Sequence, residues 1–163
     1  MDRNMKAIAI LFVCMGNICR SPLAEGIMTH LGKTSSKAGK LTVASAGTGG
    51  WHVGDPPDRR SVSVARSHGI DISHQSAAQI KRGDFSRFDL ILAMDEQNLS
   101  ALQQVAPAGM RHKLHLFSDY ASGIRRNIPD PYYGGEEDFL AVYNMLFADC
   151  TSLLAKIGFD RIS

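Results

Sequence analysis

A chain of 163 residues, 44% hydrophobic and 21% charged, is long enough for one buried core and too ordinary in composition for a disordered, fibrous or disulfide-dense class. A formal net charge of +2, from 18 basic and 16 acidic residues, is too small to argue for nucleic acid or an anionic membrane surface as the partner. No apolar run approaches the ~20 residues that a membrane-spanning helix needs.

Residues 6–13, with the run AIAILFV, read as a buried strand. Arg3 and Lys6 ahead of that run imitate a short signal peptide, but no small-residue cleavage site follows. The expectation is a cytoplasmic protein with its three cysteines reduced. A helix is predicted over 22–31, with Ser21 as N-cap, Pro22 at the first helical position, Glu25 in the first turn and Gly32 as the stop. TSSKAGK is a loop, and 41–46 is a short second strand. Residues 47–58 (GTGGWHVGDPPD) form a Gly/Pro-rich loop before a helix over 59–68 that Gly69 closes. The third strand spans 88–93 (FDLILA), and Asp95 begins a helix running to about Val105 as its N-terminal cap. A fourth strand covers 114–117, and residues 118–135 are loop-like. A long amphipathic helix over 136–157 puts Phe139, Val142, Tyr143, Leu146, Phe147, Leu153 and Leu154 largely on one side. Strands alternating with helices predict a single α/β domain over 1–163, with a parallel sheet covered on both faces.

Loops at the carboxyl ends of such strands bind ligands, and VCMGNICRSP lies there, between the first strand and the first helix. Successive backbone N–H groups in a strand-to-helix loop converge on one point, and the helix dipole adds to their field. Gly16 permits a tight turn, and Arg20 offers a planar fork to two oxygens. Such a loop suits a tetrahedral oxyanion. The same field stabilises a thiolate at Cys14, which is placed to attack phosphorus. Metal ligation fits poorly, because Cys14 and Cys19 are spaced Cys-x4-Cys without a second pair. The nucleotide P-loop pattern is absent.

CMGNICRSP at 14–22, SAGT at 45–48, Trp51, AMDEQN at 93–98 and DPYY at 130–133 resemble, in order, the signatures of the low-molecular-weight protein tyrosine phosphatases. The resemblance implies a four-stranded parallel sheet flanked by helices, no cofactor and no metal. It implies hydrolysis of phosphotyrosine in protein substrates through a cysteinyl-phosphate, with inorganic phosphate as product, and no nucleic acid or membrane partner. A monomer is expected. By position, Cys14 matches the nucleophile, Arg20 the phosphate clamp and Asp130 the general acid. The N–H groups of Met15, Gly16, Asn17, Ile18, Cys19 and Arg20 match the phosphate cradle. Ser21 matches the hydroxyl that bonds the thiolate, while Asn17, Ser45 and His74 match a network holding the loop in its strained shape. Trp51, Tyr132 and Tyr133 match walls around the substrate ring.

The residues read alone leave several of these open. Asp130 before Pro131, read without the resemblance, is first the start of a plain turn, although Pro131 keeps it extended and one carboxyl can both protonate a leaving oxygen and accept a proton from water. Trp51 reads as core cover or as a ring wall. Cys19 reads as a small buried residue or as a redox partner of Cys14, and Cys150 as core packing. Arg59, Arg60, Arg125 and Arg126 read as a solvated surface or as attractors of acidic residues flanking a phosphotyrosine. His52, His112 and His115 read as surface or strand residues. Thioredoxin-coupled arsenate reductases need further mid-chain cysteines, and none lies between Cys19 and Cys150. Protein arginine phosphatases commonly carry threonine where this chain has Ile18. A non-catalytic phosphotyrosine-binding module needs neither Cys14 nor Asp130.

Overall fold

The computed structural model describes residues 7–35 and 38–158. Arg3, the predicted strand start at Lys6, and Ser36 and Lys37 of the predicted loop lie outside the described residues. Four strands, β1 (Ile8–Cys14), β2 (Leu41–Gly47), β3 (Leu90–Ala93) and β4 (Leu114–Leu116), form one all-parallel sheet in the order β2-β1-β3-β4. β1 is central: Ile8 to Cys14 run opposite Leu41 to Gly47 on one side, and Ile10 to Val13 run opposite Leu90 to Ala93 on the other.

The apolar run in β1 is continuous because both faces of the strand are covered. Ile10, Phe12 and Cys14 enter one core cluster, and Leu11 and Val13 the other. Onto the first face pack α1 (Arg20–Lys33), α2 (Arg59–Ser67), α5 (Phe117–Ser122) and α6 (Glu136–Lys156). Onto the second pack α3 (Arg82–Arg87) and α4 (Glu96–Val105). From β1 the chain crosses to β2 on one side, then returns past β1 to β3 on the other. That makes the carboxyl end of β1 the switch point of the sheet, where ligands bind in open α/β folds.

Several local expectations change. α1 starts at Arg20 with Cys19 as its N-cap, and Ser21 is fully buried inside the first turn rather than capping it. Gly32 does not stop α1. It lies within the helix, against the end of the Leu41 side chain of β2, 2.7 Å from where a Cβ would stand. β3 begins at Leu90, while Phe88 ends α3 and fills the second core cluster. Neither α3 nor α5 was legible, since each is only 6 residues long, under two turns, and shows no helical period. Phe117 and Ser118, expected in a strand and a loop, are buried residues of α5, which ends on Gly123 at φ 76°. On α6, Phe147 is 36% exposed at the edge of the apolar stripe, and the fully buried Cys150 packs within it.

Candidate active site

Cys14 is the last residue of β1, and its side chain is buried at the base of a cavity of about 410 Å³. The loop beyond it is held from outside. The carbonyls of Cys14, Met15 and Ile18 accept from the N–H groups of Thr48, Gly49 and Asp58 at 2.9, 2.9 and 2.8 Å. In a trans peptide the following N–H points opposite to the carbonyl. The N–H groups of Met15, Gly16 and Cys19 therefore face away from these anchors. Among the described residues, no N–H from Met15 through Cys19 has a hydrogen-bond acceptor. Five unpaired donors beside the start of α1 form an anion cradle. Gly47 allows the loop to sit this close, because a Cβ there would lie 2.8 Å from the Met15 carbonyl oxygen.

The strained residue of the loop is Asn17, not Gly16. Asn17 adopts φ 58°, the left-handed region that asparagine tolerates better than most residues. Its side chain holds it there. Oδ1 accepts from the Ala78 N–H at 2.9 Å, and Nδ2 donates to Ser21 Oγ at 2.7 Å and Ser45 Oγ at 3.0 Å. Because Asn17 donates to Ser21, the Ser21 hydroxyl keeps its own hydrogen, with two acceptors in reach: Cys14 Sγ at 3.0 Å and the Ala46 carbonyl at 3.5 Å. Ser45 Oγ donates in turn to Glu25 Oε1 at 2.6 Å. Burial raises the Glu25 pKa above the ordinary carboxylate value, opposed by the Ser45 hydrogen bond and by the charge of His74. Among the described residues, His74 is exposed and reaches the network only through this charge; Glu25 holds its hydrogen-bonded end.

Arg20 is buried, with Nη1 donating to Asp95 Oδ2 at 2.6 Å and to the Ile128 carbonyl at 3.0 Å. A buried guanidinium stripped of its partner costs about 3–5 kcal/mol, so Asp95 is what keeps Arg20 in place beside the loop. Asp95 also caps α4 as expected, accepting from the Asn98 N–H at 2.7 Å. Its second bond, to Arg20, was missed. The available signal was its position directly after β3, at the switch point. Asp130 Oδ2 lies 3.8 Å from Arg20 Nη2, and Oδ1 accepts from the Tyr132 N–H at 3.1 Å. Asp130 is thus both a turn residue and a carboxyl over the cavity.

Trp51 is 72% exposed and Tyr133 96%, so neither is core cover. With Tyr132 they wall the cavity, and the Trp51 ring lies where a Cβ on Gly49 would be. Ile18 lines the cavity too, as does His52, which pairs with Asp55 at 3.2 Å. His112 and His115 do not line it. Cys19 is buried, and desolvation, helped by the charges of Asp58 and Cys14, pushes its pKa up to about 12. Among the described residues no group of three His, Cys, Asp or Glu side chains could hold a metal ion, and no helix is long and apolar enough to cross a membrane. Arg125 pairs with Glu96 and Asp119, and Arg126 with buried Asp149, within the chain itself.

The fold and the site together define a class: a doubly wound parallel sheet whose central strand delivers a cysteine into an anion-binding loop, with an arginine and a carboxyl opposite. The family model for low molecular weight phosphotyrosine protein phosphatases matches residues 9–162, and the chain belongs to that family. A low molecular weight phosphotyrosine protein phosphatase of Schizosaccharomyces pombe is 45% identical over 155 residues, covering 94% of this chain and 99% of the relative. The crystal structure of an Entamoeba histolytica protein tyrosine phosphatase superposes with a TM-score of 0.87 at 36% identity, covering 92% of this chain and 96% of that one. Vibrio vulnificus Wzb in complex with benzylphosphonate superposes with a TM-score of 0.82 at 32% identity, covering 92% and 99%.

Proposed function

We propose that this chain hydrolyses phosphotyrosine in protein substrates in two displacements at phosphorus. The Cys14 thiolate attacks, the S–P bond forms, and the P–O bond to the tyrosyl oxygen breaks as Asp130 gives that oxygen its proton. Arg20 and the loop N–H groups hold the three remaining oxygens. Water then attacks phosphorus, Asp130 takes a proton from it, and the S–P bond breaks to release inorganic phosphate. The Ser21 hydroxyl, 3.0 Å from Sγ, stabilises the departing thiolate. The observation that carries this reading is the single cavity that brings Cys14, Arg20 and Asp130 together beneath Trp51, Tyr132 and Tyr133. Benzylphosphonate, the ligand of the Vibrio relative, joins an aromatic ring to a tetrahedral anion, the combination such a cavity fits.

Ile18 supports an aryl substrate. An apolar branched side chain at the rim suits the flat ring of tyrosine and crowds a polar guanidinium phosphate. The kcat/KM ratio for phosphotyrosine over phosphoarginine is expected to be large, and Ile18→Thr to narrow it. An unchanged ratio would assign selectivity to Trp51, Tyr132 and Tyr133 instead.

Cys19 supports protection of the nucleophile in a reducing, cytoplasmic setting. Peroxide converts the Cys14 thiolate to a sulfenic acid, and the Cys19 sulfur displaces its oxygen as water to form a disulfide. Burial, the largest cause of the raised Cys19 pKa, is unchanged by that oxidation, so Cys19 reacts from its thiol form and gives up its proton in the step. After peroxide and then a thiol reductant, the wild type should regain most activity and Cys19→Ser much less. Equal recovery, with no linkage between the two cysteines on peptide mapping, would leave Cys19 a packing residue.

A further inference from the structure

Arg60, in the first turn of α2, is no free surface arginine. Nε and Nη2 donate to the two carboxylate oxygens of Asp58 at 3.0 Å each. Nη2 also donates to the Tyr132 carbonyl at 2.9 Å, and Nη1 to the Gly134 carbonyl at 3.0 Å. The guanidinium carbon lies 4.4 Å from the centre of the Phe139 ring, near the start of α6. Asp58 is fixed in its turn. It accepts from the Arg60 N–H at 2.8 Å, and its own N–H donates to the Ile18 carbonyl at 2.8 Å. A chain of bonds therefore runs from the anion loop through Asp58 and Arg60 to the segment that carries Asp130.

The other side of Asp130 is anchored separately. The Ile128 N–H donates to the Met94 carbonyl at 2.9 Å, and the Ile128 carbonyl accepts from Arg20 at 3.0 Å. Asp130 thus sits midway between two carbonyls held by arginines, Ile128 by Arg20 and Tyr132 by Arg60. Among the described residues, the two Arg60 bonds are the only hydrogen bonds that reach residues 131–134 from outside the 130–134 turn.

We propose that Arg60 is a positioning residue for the general acid, fixing the Asp130 turn at a set distance from the phosphate loop. The proposal rests on reading Asp130 as that acid. Displacing a reacting group by about 1 Å costs on the order of 10²-fold in rate. Loss of Arg60 therefore resembles a partial loss of the acid and leaves the anion cradle intact.

The test measures Arg60→Met, with Arg60→Lys as the second variant should methionine fail to fold. Lysine keeps the charge but lacks the fork that spans Asp58 and two carbonyls. The expected result is a fall in kcat on a phosphotyrosine peptide of about 10–100-fold, with a smaller fall on an aryl phosphate whose leaving group needs no proton. Competitive inhibition by inorganic phosphate should be unchanged. In an Asp130→Asn background, removing Arg60 should cost nothing further. Equal losses for all leaving groups, the same loss in the Asp130→Asn background, or weakened phosphate inhibition would overturn the proposal. Asp130→Asn alone separates the two readings. If its loss is selective for poor leaving groups and that of Arg60→Met is not, the Arg60 proposal fails alone; if neither is selective, the acid assignment fails with it.

Discussion

Cys14→Ser should lower turnover of phosphotyrosine by more than about 10⁴-fold, the scale at which removing a covalent nucleophile is felt, while the protein stays folded. A serine hydroxyl is not ionised at neutral pH, so the cradle's field has no anionic nucleophile to work with. The substitution exchanges one small buried atom for another and keeps a hydrogen-bond partner for Ser21, so the loop has no reason to rearrange. The variant should still bind phosphotyrosine peptides, because Arg20 and the loop donors remain. Kinetics on a phosphotyrosine peptide, with melting temperature and peptide binding alongside, check all three expectations. Wild-type activity should persist in excess chelator. Residual turnover near the wild-type rate would remove Cys14 from the chemistry.

The second large effect is at Asp130. Asp130→Asn keeps the size of the side chain and an oxygen that can accept from the Tyr132 N–H, so the turn should survive. What it loses is the transferable proton. Turnover of phosphotyrosine, whose leaving oxygen is basic, should fall about 10²–10⁴-fold, the usual worth of general acid–base catalysis. An activated aryl phosphate should lose less. Equal losses across a leaving-group series would place the acid elsewhere.

Much of this was legible in the chain. A continuous apolar run in β1 announced a strand covered on both faces, and Cys14, Gly16 and Arg20 behind it announced an oxyanion loop. What stayed hidden depends on tertiary contact. The strain at Asn17 is tolerated only because Ala78, Ser21 and Ser45, distant in sequence, satisfy its side chain. Glu25 read as a first-turn acid; only the fold of β2 over α1 brings it to Ser45. Asp95 was correctly a helix cap, yet the crossover from β3 also sets it against Arg20. α5 escaped because 6 residues show no period and its apolar members continue those of β4. Arg60 reads as half of an exposed arginine pair; beside nearby Asp58, the two carbonyls it holds lie 72 and 74 residues away along the chain.

The most direct test of the central claim uses Asp130→Asn with an activated aryl phosphate. The first displacement then needs little acid, while the second lacks its base, so the covalent intermediate should accumulate. Rapid quenching followed by peptide mapping should find one phosphate per enzyme on the sulfur of Cys14. Phosphate on any other residue, or release of the phenol with no phosphoenzyme at any time, would contradict a cysteinyl-phosphate mechanism at this loop.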